Sequence, residues 1–172
     1  MMPAPIPADD AERLRALREL LILDTPPEER FDRIVAFAAE EFEVPIALVS
    51  LIDEQRQWFK ARVGMGVCET SREISFCAHA IVQPDLFEVL DATRDPRFAD
   101  NPMVVGEPFI RFYLGAPLRL PGGATVGTLC LIDTRPREFD ALSHAILGTL
   151  RDLVLAELTG EGAKENEDEA MP

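Results

Sequence analysis

Apolar positions along the chain follow two periods. Leu14, Leu17 and Leu21 recur at helical spacing behind Asp9, which stands where an N-cap belongs, so a helix is predicted over 9–23. The stretch "DTPPEER" (24–30) breaks it and supplies the prolines and acids that suit a first helical turn. In the helix that follows, Phe31, Ile34, Val35, Ala38 and Phe42 share one face, up to Pro45. "PIALVSLID" (45–53) is short and almost wholly apolar, the pattern of a strand covered on both faces. "EQ" makes a turn, and "RQWFKARVG" (56–64) reads as the antiparallel partner. The middle is less regular. A short helix is read at "SFCAHAIV" (75–82) and a strand at "LFEVLDA" (86–92). The Pro-, Asp- and Asn-rich stretch 93–108 reads as a loop, of a length that commonly carries function. "IRFYLGAPLRL" (110–120), the turn "PGGA" and "TVGTLCLID" (125–133) then resume the sheet. A closing helix over 139–158 sets Leu142, Ile146, Leu150, Leu153 and Leu158 along one stripe.

This order predicts an α+β fold: an antiparallel sheet of about five to six strands, with helices on one face and loops on the other. Residues 1–8 are expected to be disordered, 9–159 to form a single domain, and 160–172 to be a disordered acidic tail. A chain of 172 residues can bury a core without staples.

Charge narrows the partners. With 31 acidic against 17 basic residues the net charge is −14, which argues against nucleic acid and against anionic membrane surfaces. Cys68, Cys77 and Cys130 are odd in number and lack C-x-x-C spacing, so neither a disulfide framework nor a zinc knuckle is expected. The opening "MMPAPIPADD" is not a signal peptide and no apolar run approaches ~20 residues, so a cytoplasmic protein with reduced thiols is expected. Cys77 and His79 supply two ligands at most, too few for zinc, and no metal is assigned.

The stretches "LDTPPEERFDRIVAFAAEEFEVPIALVSLIDEQRQWFKARVG", "REISFCAHAI", "DATRDPRFADNPMV", "IRFYLGAPL" and "GTLCLID", taken in order, resemble a bacterial GAF domain over about residues 23–158. The resemblance implies a PAS-related sheet with a ligand pocket on one face, roofed by the central loops. The sheet would contribute Phe112 or Tyr113, Gly115 and Thr128 to that pocket. The roof would contribute Ser75, Phe76, Cys77, His79, Asp91, Arg97, Phe98 and Asn101. It also implies a sensory or regulatory role in signal transduction, of the subtype often joined to histidine kinases and diguanylate cyclases. This chain reads as a stand-alone member acting alone or on an effector in trans, with a fragment of a larger sensor as the other option. Family members bind cyclic nucleotides, bilins, haem or metabolites, or nothing, so the cofactor is left unknown. Bilin attachment in the family uses a cysteine beside a histidine, whereas here the order is Cys-Ala-His.

Terminal helices in the family commonly pack against a second copy. On that resemblance Leu14, Leu17, Leu21, Ile146, Leu150 and Leu153 are the candidate interface of a homodimer. No nucleophile–base–orienter set is legible, so no catalytic residue is assigned and the chain is expected not to be an enzyme. Two alternatives stand beside the sensor. One is a thiol reductase of the free methionine sulfoxide type using Cys68 and Cys77, with Cys130 read as packing. The other is a ligand-free dimerisation scaffold.

Overall fold

The computed structural model describes residues 1–161. The first helix, α1 (Asp10–Glu19), starts after Asp9, although the Asp9 carboxylate makes no capping bond. It is shorter than predicted because Leu21 takes a left-handed φ of 54° and turns the chain away. α2 (Glu29–Glu41) buries Phe31, Ile34, Val35 and Ala38, the face that the sequence marks. β1 (Ile46–Ile52) pairs antiparallel with β2 (Arg56–Val63) on one side and β6 (Thr125–Asp133) on the other, and it is buried along its whole length because layers cover both of its faces. Gly127 permits the second approach: a Cβ there would strike the backbone carbonyl of Ser50. With β3 (Glu69–Ser71), β4 (Phe87–Val89) and β5 (Phe112–Arg119), these strands form one antiparallel sheet in the order β3-β2-β1-β6-β5-β4.

Short helical elements sit in the central insertion, beginning with a 3-10 turn at Arg72–Ile74. α3 (Phe76–Ala80) is capped by Ser75, whose hydroxyl accepts the Ala78 N–H at 3.0 Å. Residues Ala92–Arg94 make a single 3-10 turn capped by Asp91. α4 (Pro102–Val105) lies within the stretch predicted as loop, with Asn101 as its cap and Pro102 at its first position. The closing helix, α5 (Ala141–Thr159), is capped by Asp140 and ends at Gly160, whose φ of 78° is left-handed. Residues 1–8 carry no helix or strand, but the Met2 N–H donates to the Arg97 carbonyl and Ala4 packs on the loop-side core. The predicted disordered tail lies outside the described residues from 162 onward.

The sheet separates two apolar cores. On one face α1, α2 and α5 bury Leu17, Phe31, Val35, Leu147, Leu150, Val154 and Leu158 against Val49, Leu51, Leu114, Leu129 and Leu131. On the other, the insertion buries Phe76, Cys77, Phe87, Phe98, Met103 and Val104 against Leu48, Tyr113, Cys130 and Ile132.

This arrangement corrects the predicted interface between copies. Leu17 is 0% exposed, and Leu14 and Leu150 are also buried, so these three serve the subunit's own interior. Ile146 is half-buried against the same core, while Leu21 (83%) and Leu153 (51%) do face outward. Leu142 is also exposed, because the buried stripe of α5 runs through Leu147, Leu150, Val154 and Leu158 instead.

Candidate functional site

The loop-side core contains most of the residues predicted to line a pocket, and it brings them into contact. Phe76 and Phe98 stack with ring centroids 4.1 Å apart and planes 9° apart. Tyr113 tilts beneath Phe76 at 5.4 Å, and the His79 ring meets the edge of Phe98 at 4.7 Å. The expected hollow above the sheet is therefore mostly filled by these rings. What remains is a cavity of about 10 Å³ lined by Leu48, Gln57, Met65, Phe76, Cys77, Met103, Ile110, Tyr113 and Ile132. That is room for about one water molecule.

Cys77 is the chemical centre of this layer. Thr128 from β6 and Tyr113 from β5 each donate a hydroxyl hydrogen bond to its Sγ at 3.2 Å. The Sγ of Cys130 lies 3.8 Å from the same sulfur. Gly115 leaves space for this arrangement, since a Cβ there would collide with the Tyr113 hydroxyl and ring. Burial pushes the Cys77 thiol up, but the hydrogen bonds it makes with Cys130, Thr128 and Tyr113 outweigh it and bring the thiol below its ordinary value. Cys130 and Tyr113 are driven the opposite way, first by burial and then by the neighbouring Cys77 sulfur.

A second polar network adjoins it. The Ser75 and Ser50 hydroxyls both donate to Gln57 Oε1, at 2.8 and 3.2 Å, and Gln57 Nε2 donates to Thr70. Ser50, Gln57 and Ser75 are buried, so these bonds stand in for lost water.

The remaining predicted residues hold the roof in shape. Asp91 accepts from the Thr93 N–H and hydroxyl, which holds its carboxyl below the usual range. Arg97 pairs with Asp95 at 2.7 Å and lies over the Phe87 and Phe98 rings at 4.9 and 5.4 Å. Asn101 is buried, accepts the Met103 N–H and donates to the Ile74 carbonyl at 3.0 Å. His79 is disfavoured as a cation, mainly by burial.

Cys68 is elsewhere and exposed, in an open groove of about 430 Å³ between residues 24–32 and β2, lined also by Trp58, Lys60 and Arg62. The sulfur neighbour of Cys77 is Cys130, so the meeting of Cys68 with Cys77 that the reductase alternative would use is not what the fold builds. Ser50, Gln57 and the role of Cys130 were not legible. Their only sequence signal was a polar or small residue placed inside a buried strand. Among the described residues no group of three or more His, Cys, Asp or Glu could hold a metal ion, and no helix is long and apolar enough to cross a membrane.

The sequence model of the GAF domain matches residues 26–158. A cyclic di-GMP phosphodiesterase of Pseudomonas aeruginosa is 49% identical over 137 residues, covering 80% of this chain and 23% of that protein. The chain thus spans about a quarter of the length of this curated relative. Among solved structures, the GAF domain of a Coxiella burnetii phosphoenolpyruvate-protein phosphotransferase superposes with a TM-score of 0.65 at 18% identity, over 91% of this chain and 98% of that one. The free methionine-R-sulfoxide reductase of Neisseria meningitidis gives 0.62 at 15% identity, over 94% and 98%. Likenesses at such identity concern the fold alone.

Proposed function

Since the chain belongs to the GAF domain family, we propose that it is a regulatory module of cyclic di-GMP signalling, without phosphodiesterase activity of its own. Its loop-side layer would be the input and its helices the output. The observation that carries this reading is the separate core on the loop face, built around the Phe76–Phe98 stack. A packed layer of its own can have two arrangements, and a partner or small molecule favouring one of them shifts the pair. A planar small molecule would enter by displacing Phe98. A second copy or an effector protein would meet the exposed Leu21 and Leu153 rather than the buried leucines. The 49% identity to a segment of a phosphodiesterase supports the signalling context.

The test is a chimera in which this chain replaces the matching segment of the Pseudomonas enzyme. The isolated chain should leave cyclic di-GMP intact. The chimera should hydrolyse it, and Phe98→Leu in the chimera should change the rate about fivefold or more, the lower end of ordinary coupling between sites. Equal rates for parent and Phe98→Leu chimeras would reject the reading. The small size of the cavity favours a second reading, a ligand-free scaffold. Sedimentation of the chain as a dimer, with no thermal shift from any nucleotide tried, would select it.

A further inference from the structure

Two sulfurs 3.8 Å apart inside a reduced protein are a short movement from a covalent bond of about 2.05 Å. The two belong to different layers, Cys77 to α3 of the roof and Cys130 to β6 at the centre of the sheet. They are also unequal. Two hydroxyls aim their protons at Cys77 Sγ, which suits a thiolate there and leaves Cys130 as the protonated partner. The small cavity touches Cys77, so a space about the size of water opens on the more nucleophilic sulfur.

We propose that Cys77 and Cys130 are a peroxide-oxidised pair whose closure to a disulfide ties the roof to the sheet. The Cys77 thiolate attacks one oxygen of hydrogen peroxide, the O–O bond breaks, and the departing hydroxide takes a proton to leave as water. Cys77 is then a sulfenic acid. The Cys130 sulfur, giving up its proton, attacks the Cys77 sulfur and expels the second water. Two thiols and one peroxide give one disulfide and two waters. Both sulfurs are buried, so peroxide reaches them through local opening of the roof. The bond draws α3 toward β6 and so changes the packing of Phe76, the residue next to Cys77 in the stack. The inference goes beyond the regulatory reading and does not depend on it, because the bond is detectable whether or not any effector responds.

The experiment uses the full chain carrying Cys68→Ser, which removes the exposed thiol. After hydrogen peroxide treatment, alkylation and digestion, mass spectrometry should find the Cys77 and Cys130 peptides joined within one chain, and a thiol reductant should separate them. Adding Cys130→Ser should stop the reaction at a Cys77 sulfenic acid that dimedone captures. Thr128→Val, which keeps the shape and removes one donor, should slow oxidation about fivefold, the rate equivalent of one hydrogen bond. If Cys130→Ser does not fold, the joined peptide and the Thr128→Val rate decide alone. Unchanged alkylation of both cysteines after peroxide, or disulfides only between chains, would overturn the proposal.

Discussion

The two faces of the sheet are packed by different chemistry. The helix face is almost wholly apolar, leucines and valines with a few rings, and is covered by long amphipathic elements, with Phe31, Leu17 and Leu147 fully buried. The loop face is built from aromatic rings, two cysteines and a set of buried hydroxyls and amides, and it is covered by short turns. Both are filled, but by different means. Apolar packing stabilises through area removed from water and is indifferent to chemical state. The loop face depends on particular hydrogen bonds, each of which can be lost or altered. One face therefore suits holding the fold, and the other suits responding to something.

That contrast is open to direct attack. The largest effect is expected in the helix core: Phe31→Ala should cost about 3–5 kcal/mol in urea unfolding, since a fully buried ring leaves a cavity there. A loss below ~1 kcal/mol would show that this face is not the foundation. Next comes the ion cluster joining α1 to the β1–β2 turn. Asp10 meets Arg72 through both carboxylate oxygens at 3.0 Å and Arg13 at 2.8 Å, and Arg13 also donates to the Ile52 carbonyl. Asp10→Asn strands two largely buried guanidiniums and should cost about 3 kcal/mol. Burial pushes the Asp10 carboxyl up, but Arg72 and Arg13 outweigh it and hold the carboxyl below its ordinary 3.8. Its contribution is thus complete above 3.8 and is lost as pH falls through the lower folded value. Acid titration of stability should flatten in this region for Asp10→Asn.

Smaller effects separate the faces more sharply. Phe98→Leu should cost about 1–2 kcal/mol globally. In native-state hydrogen exchange it should also release the amides of residues 76–105 before those of β1, β5 and β6. Simultaneous release of both sets would mean that the faces are one cooperative unit. The smallest effect is expected at the half-exposed pair of His144 with Glu88, 2.9 Å apart between α5 and β4. His144→Ala should change stability by under about 1 kcal/mol.

Much of the helix face could be read from the sequence, because its period marks the buried side of α2 and the apolar runs mark β1 and β6. The period does not say what covers a stripe. Leu14, Leu17 and Leu150 fit a partner's helix as well as their own sheet, and the fold chose the sheet. β3 escaped notice because three mostly polar edge residues have no pattern to show. α4 was readable in principle from Asn101-Pro102 followed by apolar residues, the mark of a capped helix start. The site was legible as a set of residues but not as an arrangement. The meeting of Cys77 with Cys130 depends on how α3 sits over β6, which is a tertiary fact 53 positions apart in sequence. The filled hollow was equally hidden, since the aromatic side chains that could grip a guest are the same ones that can grip each other.

The Asp10 cluster bears on where the domain begins. The family match opens at residue 26, yet a polypeptide trimmed to that point would lose the acid that neutralises Arg72 and the leucine that seals the sheet beside α5. Residues 10–19 act as a keystone, and removing them should leave a sticky, poorly soluble remnant.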